Sequence, residues 1–495
     1  MSAKVLMVQG TSSSVGKSLL VTALCRIYAR RGVRVAPFKA QNMSNNAGVC
    51  ADGSEIGRAQ ITQAWAAGIA PTATMNPVLL KPESNVRSQV IVMGRSLETL
   101  PAHSYYQRKQ LLWSTVTSAL DQLRDEYDLI IAEGAGSPAE LNLKQNDIVN
   151  MAIARYAQAD VLLVGDIDRG GVFAQLLGTL WLLPPEEQAL IRGFVVNKFR
   201  GDPTLFIDGI HILEERSNKP VLGVVPWLED LYLPEEDGVA LDNLAIQANP
   251  NQAQQIDIAV IHLPRIANFD DFDPLRHESG VNLRFVRETA VLGQPHAIIL
   301  PGSKSTMADL EWLRERGLAE KICELAAAGT AVVGICGGYQ MLGSDIYDPE
   351  GVEGSHAHLS GLGLLPVQTT FVAPKATYQV SAQVDCEDGW LATLTGTAVF
   401  GYEIHMGRTV SASPWLTIKQ RGETAVHIED GAMTENHRIW GCYVHGLFAN
   451  ETFRQAWLRQ LGYSSSSIAH TSKQMEASLE RLANVVESTL QLDLL

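Results

Sequence analysis

Two stretches of this chain put reactive side chains where an apolar, strand-like run gives way to a helix-like one. The first is GTSSSVGKS, Gly10 to Ser18, directly after the run Lys4 to Gln9. Backbone N–H groups of such a loop, with the helix N-terminus behind it, can cradle phosphates; Lys17 adds a positive charge, and the Ser18 hydroxyl is a hard oxygen of the kind Mg²⁺ takes. Gly10, Thr11, Gly16, Lys17 and Ser18 are therefore the expected nucleotide contacts, with Ser18 also on the metal. The second stretch is AVVGICGGYQML, Ala331 to Leu342. A cysteine on a tight strand-to-helix turn presents its sulfur and has a helix N-terminus to lower the thiol pKa, so Cys336 reads as a nucleophile. Gly337 frees an N–H for an oxyanion, and the segment IILPGSKST brings Gly302 and Ser303 as a second source. His445, in WGCYVHGLF, is the candidate base that activates the thiol.

Further polar groups gather where strands of the first half end. DLIIAEGAGS closes a strand with Glu133, placed beside the phosphate loop as the second Mg²⁺ ligand. VVNKF puts Asn197 where it either reads an adenine edge or simply forms a turn. KAQNMSNN reads as a polar loop in which Lys39 neutralises a phosphate or a substrate carboxylate, while Gln41 and Asn42 offer amide donors and acceptors. VGDIDRGGVFA brings Asp166, Asp168 and Arg169 to another strand end; Arg169 and Arg87 are the candidate cations for an anionic substrate. Asp147, just ahead of an apolar helical stretch, is either a substrate contact or an N-cap.

The elements that must position these groups alternate. Lys4 to Gln9, Val33 to Phe38, Val86 to Met93, Asp128 to Glu133, Val161 to Gly165, Gly193 to Asn197 and Val221 to Val225 are strand candidates, with helix-like Lys17 to Arg31, Gly57 to Gly68 and Tyr105 to Tyr127 among them. That rhythm predicts an α/β domain with a parallel sheet over 1–233. Pro234 to Gln255 is acidic and then rich in Asn, Gln and Ala, a linker composition. A second α/β pattern over 256–450 has strand candidates Ile256 to His262, Val281 to Val286, Ala297 to Leu300 and Ala331 to Ile335, and a C-terminal helical segment over 451–495 includes Ser472 to Leu492. At 495 residues two or three domains are expected, and 46% hydrophobic against 19% charged residues is an ordinary globular balance. The formal net charge of -15 disfavours nucleic acid and anionic membranes, so anionic small molecules need a local basic pocket. The N-terminus shows no signal pattern and no apolar run reaches membrane-spanning length, so the expected location is the cytoplasm. Six cysteines without CxxC pairs argue against a disulfide framework or structural zinc.

Five residues lie between Gly10 and Gly16 where the common phosphate loop has four, and this longer loop resembles that of dethiobiotin synthetase and its relatives. An elbow cysteine followed later by a strand-end histidine is similar to the class I glutamine amidotransferases. The usual His-x-Glu is missing, since Gly446 and Leu447 follow His445; either another residue orients the imidazole or the site works as a dyad. GYEIHMGRT, with Glu403 and His405, is one place to look, although it fits better as a shaper of the site. Taken together, GTSSSVGKS, KAQNMSNN, EGAGSPAEL, DIDRGGVFA, VVNKFRGD, PGSKST, GICGGYQML, GYEIHMGRT and CYVHGLF resemble the cobyric acid synthase family of the cobalamin pathway over nearly the whole chain. The resemblance implies a P-loop parallel-sheet domain followed by a class I glutamine amidotransferase domain, with ATP and Mg²⁺ as cofactors. It implies amidation of the b, d, e and g carboxylates of adenosylcobyrinic acid a,c-diamide, each first phosphorylated and then attacked by ammonia from glutamine. The implied partners are small molecules alone: a corrinoid polycarboxylate, glutamine and ATP. Two rivals stand beside it: cobyrinic acid a,c-diamide synthase, which shares the architecture, and a P-loop ATPase serving as a binding module with a degenerate amidotransferase domain as scaffold.

Overall fold

The computed structural model describes residues 2–84, 86–101, 109–236, 241, 256–353, 356–464 and 471–494. In Lys4–Gly10 every residue except Lys4 is buried, the mark of a strand covered on both faces. It sits inside a six-stranded sheet ordered Val221–Pro226, Ile191–Phe199, Asp160–Asp166, Lys4–Gly10, Leu129–Glu133, Val35–Phe38, with all pairs parallel. All carboxyl ends therefore point to one edge, where the phosphate loop, Glu133, Asp166 and Asn197 emerge. Helix Lys17–Arg30 follows the loop and turns Leu20, Val21, Leu24, Cys25 and Ile27 into the core.

The apolar run at Val86 to Met93 is not part of this sheet. It forms Arg87–Val92 in a separate four-stranded sheet with Gln41–Met43, Val78–Pro82 and Arg95–Pro101. Met93 and Gly94, at φ 47° and 73°, make a two-residue hairpin turn, and so short a connection allows only antiparallel pairing. The same sheet takes up Gln41–Met43, so part of the expected polar loop is a strand. Of the helix expected over Tyr105 to Tyr127, Lys109–Leu112 is a 3₁₀ turn and Trp113–Glu126 an α-helix; residues 102–108 lie outside the described ones.

The second half carries a sheet ordered Val281–Val286, Ile256–Ile261, Ala297–Leu300, Ala331–Ile335, Ile439–Cys442, Ala432–Met433, parallel except for the last pair. Next to it stands an antiparallel sheet built on the long pair Gln368–Val384 and Ala398–Val410, which the sequence did not announce. Its alternation is broken by a register shift between Phe371 and Ala376 around Pro374, which hides the period of two.

The chain then returns to the first half. Helix Thr471–Thr489 buries Leu479, Leu482 and Val486 against Leu20, Val21 and Leu24. Ion pairs such as Arg30–Glu480 and Arg31–Glu487, both at 2.8 Å, line the rim. Those exposed pairs are worth at most ~1 kcal/mol each, whereas each buried aliphatic side chain contributes ~1.5–3 kcal/mol; the apolar seam holds the helix. Among the described residues no helix is long and apolar enough to cross a membrane.

Candidate active site

The phosphate loop is held from behind. Gly16 has φ 100°, and a Cβ there would lie 2.2 Å from Asn197 Nδ2, so only glycine fits. Asn197 donates that amide to Val15 O at 2.7 Å, and Lys198 Nζ reaches Ser14 O at 2.6 Å and Asp166 Oδ2 at 2.8 Å. The expected base reader Asn197 thus spends its amide on the loop backbone, and Asp166 anchors the lysine beside it. Thr11 Oγ1 donates to Gln175 Oε1 at 3.1 Å, and Lys17 Nζ to Ser12 O at 2.9 Å.

In front of the loop, Ser18 Oγ bonds Glu133 Oε1 at 2.9 Å, which brings the two expected metal ligands together. A third group joins them from the stretch read as linker: Glu236 Oε2 accepts from Ser18 at 2.7 Å. Lys39 Nζ lies between the carboxylates, 2.8 Å from Glu133 and 2.7 Å from Glu236. Burial disfavours its charge, but those two carboxylates outweigh burial and hold the ammonium above its usual range. Gln63 Nε2 completes the cluster with a 2.6 Å bond to Glu133 Oε2.

The remaining expected contacts take these places. Asp147 accepts the N–H groups of Val149, Asn150 and Ala152, so of its two readings the structure gives it the cap. Arg87 sits exposed at the start of an antiparallel strand instead of at a parallel strand end. Arg169 is exposed too, 3.8 Å from Asp166. Asn42 is buried and donates to Gln60 Oε1 at 3.0 Å, while Gln41 begins its short strand. Asp168 pairs with Arg200 at 2.7 Å.

In the second half Cys336 stands alone at φ 53°, ψ -107° between strand Ala331–Ile335 and helix Gly337–Leu342. A non-glycine residue in that region costs ~1–3 kcal/mol, strain of the kind a nucleophile elbow stores. The glycines around it have separate reasons. A Cβ on Gly338 would meet Leu300 O at 1.9 Å, so this glycine serves close helix-to-strand packing. A Cβ on Gly337 would lie 2.8 Å from Ser303 N, so the backbones of the two candidate oxyanion donors run close together. Gly337 is the first helical residue, whose N–H has no partner within the helix. Ser303 Oγ is pinned to Asp309 Oδ2 at 2.6 Å.

His445 is buried and lines one cavity with Cys336, whose thiol donates to Ile404 O at 3.6 Å. The imidazole is set by Asp271: Oδ2 lies 2.6 Å from Nδ1 while Oδ1 accepts Gly446 N–H at 2.8 Å. Burial opposes protonation, yet Asp271 and the Cys336 thiolate overcome it and raise the imidazole to about 10. Asp271 thus holds the imidazole at the position the sequence left open, and Glu403 does not. Glu403 instead binds His405 at 3.1 Å and Arg421 at 2.7 Å. Asp271 lies 174 residues before His445, in the turn Phe269–Phe272. Its only sequence signal is a carboxylate set between Phe269 and Phe272 in NFDDFDP, an acid inside an apolar turn.

One helix touches both centres. From Arg58–Ala66, Gln63 reaches Glu133, while Arg58 forms an ion pair with Asp270 Oδ2 at 2.9 Å and donates to the Tyr402 hydroxyl at 2.7 Å. Tyr402 stacks on His445, ring centroids 5.2 Å apart and planes 13° from parallel. A cleft of ≈ 500 Å³ runs here between the halves, with Arg58, Ile61 and Trp65 on one wall and Asp271, Tyr402 and Gly446 on the other.

A phosphate-loop sheet joined to an amidotransferase domain defines a glutamine-dependent, amide-forming ligase. Residues 6–241 match the CobQ/CobB/MinD/ParA nucleotide binding domain and residues 257–453 the CobB/CobQ-like glutamine amidotransferase domain. The chain belongs to the cobyric acid synthase family. It is 60% identical to the cobyric acid synthase of Chloroflexus aggregans over 94% of this chain and 93% of that one. It is 56% identical to that of Herpetosiphon aurantiacus over 100% and 98%.

Proposed function

We propose that this chain amidates the b, d, e and g carboxylates of adenosylcobyrinic acid a,c-diamide, using ATP to activate each carboxylate and glutamine to supply nitrogen. A carboxylate has no usable leaving group, so phosphorylation at the Gly10 to Ser18 loop comes first. Family membership and the loop's strand-to-helix setting support ATP there. Support for Mg²⁺ comes from the donor set: the hard oxygens of Ser18, Glu133 and Glu236 gather at one place, and the two carboxylates there already hold a cation, the Lys39 ammonium. When bound, Mg²⁺ would neutralise charge on the transferring phosphate. With Mg²⁺ on these oxygens, Lys39 would be free to meet a phosphate or the substrate carboxylate.

In the second half the Cys336 thiolate adds to the carboxamide carbon of glutamine, with its oxyanion taken by the N–H groups of Gly337 and Ser303. The His445 imidazolium gives its proton to the departing nitrogen, which leaves as ammonia. Water, deprotonated by His445, then splits the thioester to glutamate and restores the thiol. Ammonia crosses the cleft and displaces phosphate from the acyl phosphate, forming the amide.

The observation that carries this reading is the buried Cys336–His445–Asp271 triad joined to the phosphate-loop cluster by one helix. Mass spectrometry of the corrinoid product tests it. Wild type gains four amide nitrogens from glutamine, and Cys336→Ala gains them only from added ammonium chloride. Amidation of the a and c carboxylates instead would move the assignment to cobyrinic acid a,c-diamide synthase, and ATP turnover with no nitrogen gain from either source would reject the ligase reading.

A further inference from the structure

The cavity that exposes Cys336 and His445 is not closed by the amidotransferase half alone. Lys81 and Gln89, from strands of the first half, form part of its wall together with Lys304, Glu353 and Lys375. Lys81 Nζ lies 2.7 Å from Glu55 Oε1 and Lys375 Nζ 2.6 Å from Glu55 Oε2, and all three are well buried. One carboxylate serves two ammonium groups, which leaves a unit of positive charge beside the nucleophile. Lys304, paired with Glu83 at 2.8 Å, adds its positive potential to the same wall.

We infer that Lys81 and Lys375, bridged by Glu55, take the α-carboxylate of the amide donor, so that the activating half of the chain completes the glutamine site of the other half. The inference rests on the glutaminase role of Cys336. Glutamine carries its anionic group a short aliphatic stem away from the carboxamide, and the cavity presents a nucleophile in one wall and the unneutralised charge in another. Burial pushes the Lys375 ammonium down to about 8, with Glu55 opposing and Lys81 and Lys304 reinforcing the shift, so an arriving carboxylate would favour its charged form. Glutamine then binds well only when the two halves are docked, which ties ammonia release to the assembled enzyme.

The test uses the full chain and two amide donors, glutamine and 4-aminobutanamide, which lacks the α-carboxylate. In Lys81→Met and Lys375→Met, kcat/KM for glutamine falls by at least tenfold, mainly through KM. kcat/KM for 4-aminobutanamide stays within about twofold, and ammonium-driven amidation is retained. Lys375→Arg restores much of the glutamine preference. An equal loss on both donors, or an unchanged KM for glutamine, overturns the inference. Glutaminase activity that persists in Cys336→Ala would instead overturn the reading beneath it.

Discussion

The two reaction centres handle charge in opposite ways. Around the phosphate loop, carboxylates and an ammonium lock one another together: Glu133 and Glu236 share Lys39, and Ser18 and Gln63 complete the set. At the triad a single strained thiol faces a histidine whose proton is held by Asp271. The first arrangement pairs its charges internally; the second holds an imidazole by one carboxylate and leaves a thiol beside it in the same cavity. Transient polyanions must be received and released, whereas the amide chemistry needs a nucleophile that is ready before its substrate enters.

That contrast is most sharply broken by Lys17→Ala. With the loop cation gone, both glutamine-driven and ammonium-driven amidation should fall by at least ~10³-fold, a loss of the size expected when charge on a transferring phosphoryl group goes uncompensated. Glutaminase activity measured alone should survive. Asp271→Asn is the mirror experiment. Glutamine-driven kcat/KM should drop by roughly 10³–10⁴, as when a triad loses its orienting carboxylate, while amidation from added ammonium persists.

The link between the centres is the next target. Arg58→Met leaves Asp270 buried without its partner, a change that costs ~3–5 kcal/mol and lowers the midpoint of denaturant unfolding. Because Arg58 also holds Tyr402 against His445, glutamate released per amide formed should rise by a few fold. No change in that ratio would mean that the centres act independently.

The smallest effect is in the pH profile. His445 is raised above its usual value, so its imidazolium, and the folding stability it contributes, are fully present below ~6.5 and lost as pH rises through about 10. Glutaminase activity should therefore hold through pH 8 and decline on approach to 10. In Asp271→Asn the decline should begin at lower pH.

The sequence disclosed the two centres unequally. Parallel strands send every carboxyl end to one edge, so Lys17, Ser18 and Glu133 could be grouped from strand-end positions alone, and the structure brings them together. Cys336 and His445 announced themselves by the glycines and apolar runs beside them. Asp271 did not, because its partner is far along the chain and a 3₁₀ turn has no period to read. Glu236 was hidden in an acidic stretch whose composition says linker, and Lys81 and Lys375 meet only when two separate sheets pack. Asn197 shows a role that position alone did not suggest: read as a base contact or a turn former, it also braces the loop through its amide. Local motifs disclose reactive atoms; the residues that tune them come from packing.

What would join the two centres in one reaction is the proposed direct passage of nitrogen from Cys336 to the acyl phosphate. Amidation run with glutamine labelled with ¹⁵N in its side-chain amide, in the presence of excess unlabelled ammonium at saturating glutamine, measures this by mass spectrometry of the product. Direct transfer predicts product amides that carry the label nearly undiluted. Label diluted to the ratio of the mixed ammonia pool would contradict it.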